Sequence, residues 1–177
     1  LAEWDGTTWS SVASPVGNVR CVTVLANGDV VLCGTLGGWQ LGVHRWSGGT
    51  WTSLGEIGEV RTIRELPNGD LLAGGDLALP GVYPSLARWN GSAWQPVGTT
   101  RGNVATVTVM PTGALFVGGS WIGMPNGDWV SAAQVVGNTW SGLGGSPTFG
   151  DVTMALDLSS GDLVVAGSFT RIGGVPA

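Results

Sequence analysis

The segment LARWNGSAWQPVG at residues 86–98 constrains this chain more than any other. It alternates apolar and polar residues, turns at Asn90-Gly91 and alternates again, which predicts a β-hairpin with one tryptophan on each arm, Trp89 and Trp94. Versions of it stand at residues 1–12 (LAEWDGTTWSSV) and 43–55 (VHRWSGGTWTSLG), with a degraded copy at 133–144 (AQVVGNTWSGLG). The second hairpin tryptophan falls at Trp9, Trp51, Trp94 and Trp140, at spacings of 42, 43 and 46 residues. The first falls at Trp4, Trp46 and Trp89 and then gives way to Val135.

Between the hairpins lies a second repeated signal. It reads VRCVTVLANGDVVLCGTL from Val19, VRTIRELPNGDLLAGGDL from Val60, VATVTVMPTGALFVGGSW from Val104 and VTMALDLSSGDLVVAGSF from Val152. Each is a strand, a polar turn and a strand, so each unit holds four strands. A four-stranded unit repeating at this period predicts the blade of a β-propeller, with residues 1–177 as a single all-β domain of four antiparallel blades. Inner strands sandwiched between neighbouring sheets should be apolar on consecutive positions, as Val30-Val31-Leu32, Leu71-Leu72-Ala73 and Leu163-Val164-Val165 are. Gly74-Gly75 and Gly118-Gly119 mark places where a strand must twist or approach another backbone closely. No segment keeps a helical period for three turns.

The ends of the chain share the phase of the repeat. Residues 173–177 followed by 1–4 read GGVPALAEW, close to the internal PGVYPSLARW from Pro80. The last unit lacks its outer hairpin and the first residues supply one, so residues 1–12 are expected to pair with the strand at 162–169 and remove an open edge. The partner strand belongs to the same chain or to a second copy, or the chain is a piece of a longer array. Rings of four crowd their inner strands, and these carry Arg20, Arg64, Glu65, Met110 and Met154, which favours an eight-bladed homodimer.

Composition excludes several classes. Only 11% of residues are charged and the net charge is −5, with seven arginines and no lysine, so a clustered basic face for nucleic acid is not expected. No apolar run is long enough for a membrane span. The sequence begins without an initiator Met and shows no signal peptide, as expected of a processed or trimmed chain.

The pattern x-A-R-W-N-G-x-x-W-x-x-L/V-G, followed by V-x-x-V-x-x-x-x-x-G-D-L-x-V-G-G-S-F, resembles the repeats of secreted and surface-associated bacterial β-propellers. It is similar more distantly to Kelch and galactose-oxidase-like blades. The resemblance covers essentially the whole chain and implies a fold and an extracellular setting. It implies no single chemistry, because such folds serve as lectins, hydrolases, oxidases and scaffolds.

Candidate functional residues are those that break the repeat. The recurrent tryptophans are expected to pack sheets. Trp39, Trp121 and Trp129 instead lie in connections between second and third strands and are the candidates for ligand contact. Arg20, Arg61, Arg64, Glu65 and Asp157 interrupt the apolar inner strands and are expected to face a central channel, pairing with one another or holding a small polar ligand. The turns Asn27-Gly28-Asp29, Asn68-Gly69-Asp70, Ser160-Gly161-Asp162 and 125–128 carry too few carboxylates for calcium and read as turns. No metal, cofactor or catalytic set is expected. His44 is the only histidine, and Asp151 and Asp157 stand about 20 Å apart along a strand, too far for a glycosidase pair. A galactose-oxidase copper site needs several His and Tyr ligands, and the chain has one of each. Asn90-Gly91-Ser92 fits a glycosylation sequon but is the hairpin turn itself.

Cys21 and Cys33 lie on the two arms of one hairpin. A two-residue turn would set Cys33 opposite Val22, whereas a three-residue turn would set the cysteines opposite each other and permit a bridge. The function expected is a non-catalytic binding or scaffold propeller that recognises glycan or protein through loops on one face. The alternative is a carbohydrate-active hydrolase or lyase fragment, which requires two acids to meet in one pocket with perturbed pKa values.

Overall fold

The computed structural model describes residues 1–12, 17–36, 41–98, 100–143, 150–158, 160–172 and 175–176. Every helix or strand assigned there is a β-strand. The chain opens with a hairpin, β1 (Ala2–Trp4) and β2 (Trp9–Ser11). Three four-stranded antiparallel sheets follow. The first is β3 (Gly17–Val24), β4 (Val30–Leu36), β5 (Leu41–Ser47) and β6 (Thr50–Gly55). The second is β7 (Gly58–Glu65), β8 (Leu71–Leu77), β9 (Leu86–Trp89) and β10 (Trp94–Pro96). The third is β11 (Arg101–Val109), β12 (Leu115–Gly123), β13 (Trp129–Val136) and β14 (Thr139–Gly142). The chain then forms a half-sheet, β15 (Val152–Asp157) with β16 (Leu163–Gly167), and a short pair, β17 (Arg171–Ile172) with β18 (Val175–Pro176).

The tips of the inner hairpins share one geometry. Leu25 N–H donates to Asp29 O at 2.8 Å and Gly28 N–H to Leu25 O at 2.9 Å, and Leu66, Gly69 and Asp70 repeat the pattern at 2.7 and 2.8 Å. Gly28 and Gly69 take φ of 86° and 85°, a left-handed conformation that glycine reaches without a Cβ penalty. The loop thus holds three residues, 26–28, between Leu25 and Asp29. Cys21 therefore faces Cys33, with Cα atoms 5.1 Å apart, and the two are joined in a disulfide.

Sheets pack in a row through one recurring contact. Val104 on β11 is buried, and a Cβ built on Gly74 of β8 would come within 2.5 Å of its Cγ1. Val152 on β15 stands the same way over Gly118 of β12, where the distance would be 2.6 Å. Val60 on β7 shares a buried cluster with Cys33 of β4. A valine knob on each first strand therefore sits over the second strand of the sheet before it. The following glycines, Gly75, Gly119 and Gly167, lie where a side chain would collide with the carbonyls of Glu59, Asn103 and Asp151, beside a bulge in each first strand.

The core forms as layers between sheets. Leu71, Ala73 and Ala87 face the first sheet with Val31 and Val43, whereas Leu72 and Leu86 face the third with Val107, Val117 and Val135. The central strand β8 is thus covered on both sides, as its continuous apolar run requires. A third layer joins Phe116 and Ala132 to Val152 and Ala155 of the half-sheet.

Three complete four-stranded sheets are present where the repeat predicts four. Among the described residues the hairpin of residues 1–12 pairs only with itself, and the expected pairing with 162–169 is not made within the chain. The reason is the row: the hairpin leads into the first sheet, β16 lies in the last, and two sheets stand between. Trp4 and Trp9 consequently remain exposed, whereas Trp89 and Trp94 pack against the first layer and Trp140 against the second.

The valine contact gives a direct test. Gly118→Val should destabilise the fold by about 1–3 kcal/mol through overpacking. Val152→Ala in the same chain should recover part of that loss, giving a non-additive cycle by urea denaturation. Additive losses would mean that the two residues do not press on each other.

Candidate binding cleft

Trp121 and Trp129 are brought together at the end of the third sheet. Trp121 aligns with Leu77 of the second sheet, which is buried, yet Trp121 is 62% exposed. Its φ is 50°, making it the only non-glycine residue with positive φ among those described. For a bulky side chain such a conformation costs on the order of 1–3 kcal/mol and persists only where the surroundings hold it. Here Ile122, fully buried, anchors the next position, and Gly102 leaves room for the Trp121 carbonyl. The strain turns an indole outward that the repeat would otherwise bury.

Trp129 opens β13 opposite Gly123, over which its ring lies: a Cβ on Gly123 would stand 3.2 Å from the indole. Both tryptophans belong to strand ends, so the connection is shorter than the sequence implies. The turn between them is closed by Met124 N–H to Asp128 O at 2.8 Å and by Asn126 Nδ2 to Asp128 Oδ2 at 2.7 Å. Trp121, Asn126, Asp128, Trp129 and Trp140 line one open cleft of ≈ 540 Å³. The Trp140 indole N–H is buried and finds no acceptor among the described residues. In the second sheet the equivalent Trp94 donates to Leu54 O at 2.8 Å. Trp39, the third candidate, lies outside the described residues.

A second open cleft of ≈ 560 Å³ lies between the β8–β9 connection and the start of β11, lined by Asp76, Tyr83, Thr100 and Arg101 among others. Sequence reasoning passed over Tyr83, although the chain's only tyrosine, placed in the same kind of connection as Trp129, was a usable signal.

Of the polar residues singled out on the first strands, Arg20 and Arg61 share one acid. Arg20 Nη1 and Arg61 Nη2 both reach Glu59 Oε1, at 2.6 and 3.2 Å, and Glu65 Oε2 accepts from Ala26 N–H at 2.7 Å. Glu59, the acid that joins the two arginines, was not singled out from the sequence. Arg64 pairs across from Leu72, and Asp157 across from Leu163 on the half-sheet.

The carboxylates at the turns serve structure. Asp29 is held below the usual carboxylate range by hydrogen bonding to Ser47 and then to Arg45, and Asp70 by Asn68 and then Arg88. Arg88 Nε donates to Asp70 at 2.5 Å and Arg45 Nε to Asp29 at 2.7 Å, tying each tip to the third strand of its sheet. Each of the two clefts above holds a single carboxylate, Asp128 or Asp76. Among the described residues no three His, Cys, Asp or Glu side chains group as a metal site would need, and no helix is long and apolar enough to cross a membrane.

His44 sits on β5 opposite Leu32, with its Nε2 buried and unpartnered among the described residues. Burial lowers its pKa, against a smaller pull upward from Glu56. A depressed pKa favours the neutral folded form, so the stabilising contribution is complete above the unfolded value of about 6.5 and is lost as pH falls through the lower folded value. The thermal midpoint should therefore drop between pH 7 and pH 5, and His44→Gln should flatten that slope. An equally steep slope in the variant would assign the effect elsewhere.

Trp121→Gly should hold or raise the unfolding free energy, by up to about 1 kcal/mol, because glycine accepts the left-handed backbone. A loss beyond that measured for Trp129→Gly would show that the Trp121 ring is needed for packing. The chain matches no protein-family model, no curated protein and no solved structure, so what the cleft can bind follows from its geometry.

Proposed function

We propose that the chain is a non-catalytic, extracellular binding module of β-propeller type, with a second copy supplying the remaining sheets of the ring, and that it recognises a glycan at the Trp121–Trp129 cleft. The observation that carries this reading is the strained, outward-turned Trp121 beside Trp129 in one open cleft. Indole faces carry negative charge density that attracts the polarised C–H bonds on the flat face of a pyranose ring. Asn126 and Asp128 at the rim offer donors and acceptors for sugar hydroxyls. A few placed polar groups around aromatic walls are the usual make-up of a small-ligand site.

The same cleft supports hydrolysis poorly. A glycosidase needs two carboxyl groups roughly 5–10 Å apart across the bond, and Asp128 is the one carboxylate among the described residues that line this cleft. The acids whose pKa is shifted are shifted down by hydrogen bonding, Asp5 by Thr8 and Thr7, Asp29 by Ser47 and Arg45, and Asp70 by Asn68 and Arg88, opposite to the direction a general acid requires.

Titration with a panel of neutral and acidic oligosaccharides should change the intrinsic tryptophan fluorescence. Trp121→Ala and Trp129→Ala should each weaken binding about tenfold, roughly 1.4 kcal/mol, and Trp9→Ala should leave it unchanged. Chromogenic glycosides should not turn over. Affinity unaltered in both cleft variants would remove this site from the reading.

A further inference from the structure

We infer that the cleft between the β8–β9 connection and the start of β11 is the second half of the glycan site, and that it holds a sugar unit carrying a carboxylate. This rests on the glycan reading of the Trp121–Trp129 cleft and names the chemical class of its ligand, a mainly neutral oligosaccharide with one acidic unit.

One wall of this cleft is a loop that displays an aromatic ring. Leu79 N–H donates to Val82 O and Val82 N–H to Leu79 O, both at 3.0 Å, across the turn at Pro80-Gly81. Gly81 has φ of 78°, the left-handed value that suits glycine in a turn after proline. Beyond the turn, Leu77 N–H donates to Pro84 O at 3.2 Å. Tyr83 stands between these two fixed points and is 76% exposed, although Leu79 and Pro84 are buried. A tyrosine held out by a pinned backbone offers a flat ring with little freedom left to lose on binding.

The opposite wall supplies the polar groups. Ser85 N–H donates to Thr100 O at 3.3 Å, which fixes the loop against the start of β11. Thr100 lines the cleft at 1% exposure, and its Oγ1 has no hydrogen-bond partner among the described residues. A buried hydroxyl left alone is costly, and a sugar hydroxyl, directly or through one water, would satisfy it. Arg101 also lines the cleft and is exposed. Arg20 and Arg61 are held by Glu59, Arg45 by Asp29 and Arg88 by Asp70, whereas Arg101 has no ion-pair partner among the described residues. Its planar guanidinium can take both oxygens of a carboxylate at once.

The two clefts share a wall one backbone thick. Gly98 and Gly102 line the Tyr83 cleft. A Cβ built on Gly98 would stand 2.9 Å from the indole nitrogen of Trp140, and one on Gly102 would collide with the carbonyl of Trp121. Both tryptophans line the other cleft. With no side chain at either glycine, one oligosaccharide can lie across the wall, one unit against Trp121 and Trp129 and another against Tyr83. Arg101 is the one cation among the described residues lining either cleft, whereas Asp76 lines the first and Asp128 the second. Together with a net charge of −5, these carboxylates act against a ligand charged on every unit, so the fit is to a single acidic unit beside Arg101.

The test is calorimetric titration with a short oligosaccharide bearing one uronic acid, set against the same oligosaccharide with that carboxyl reduced to an alcohol. The acidic form should bind about fivefold to tenfold more tightly at low salt, and the difference should shrink as salt is added. Arg101→Gln should abolish the preference without changing affinity for the reduced form, and Tyr83→Ala should weaken both forms. Arg101 and Tyr83 are exposed, so both variants should keep the thermal midpoint of the parent. Equal affinity for the two forms, or a preference that survives Arg101→Gln, would overturn the inference and leave the Trp121–Trp129 cleft as a site for neutral glycan. An Arg101 effect intact while Trp121→Ala is silent would overturn the ligand shared between the clefts. Failure of both forms to bind would remove the glycan reading and this inference together.

Discussion

Each of the three four-stranded sheets packs beneath a valine of the next one. A four-stranded sheet of this size has two apolar faces and little interior of its own, so its burial must come from neighbours. The contact of Val104 with Gly74 and of Val152 with Gly118 sets how closely the sheets approach, and the absence of a side chain at the seat is what allows it. The same second strands carry a further glycine where the bulged first strand brings a carbonyl against them. Two adjacent glycines thus answer two different steric demands, one from the next sheet and one from the neighbouring strand. Because each sheet touches only its neighbours, stability accumulates contact by contact along the row.

The polar residues of the repeat work as fasteners around this stack. Asp29 and Asp70 close their own turns and at the same time hold Arg45 and Arg88 on the third strand. The third sheet has Ala114 and Gln134 at the corresponding positions, so both halves of the fastener are absent together. There Gln134 lies instead against the Met110 sulfur.

The period and alternation of the sequence announced the all-β architecture, the four strands of each complete sheet, the turn tips and the continuous burial of β8, because these are local consequences of residue type. The facing tryptophans of three of the hairpins were legible for the same reason. The disulfide was not, since it hinged on a turn of two or three residues, and Gly28 in a left-handed conformation with Leu25 bonded to Asp29 decided it. Placement of the N-terminal hairpin was also beyond the sequence, which gives the phase of a repeat but not which molecule continues it. Trp121 and Trp129 were recognisable as breaks in the pattern. Their convergence required the turned backbone at Trp121, which no propensity encodes.

The Cys21–Cys33 bridge lies in the first sheet, at positions that are Thr62 and Gly74 in the second and Thr106 and Gly118 in the third. Among the described residues that sheet packs against the second sheet. A cross-link closing a short loop removes conformations from the unfolded chain, worth on the order of 3 kcal/mol. It also forbids β3 from sliding along β4, and a slip of one residue would turn Val19 and Val22 away from the face they present. Thiol chemistry therefore acts on the face that carries Val19 and Val22: the bridge holds its register, and reduction releases that constraint.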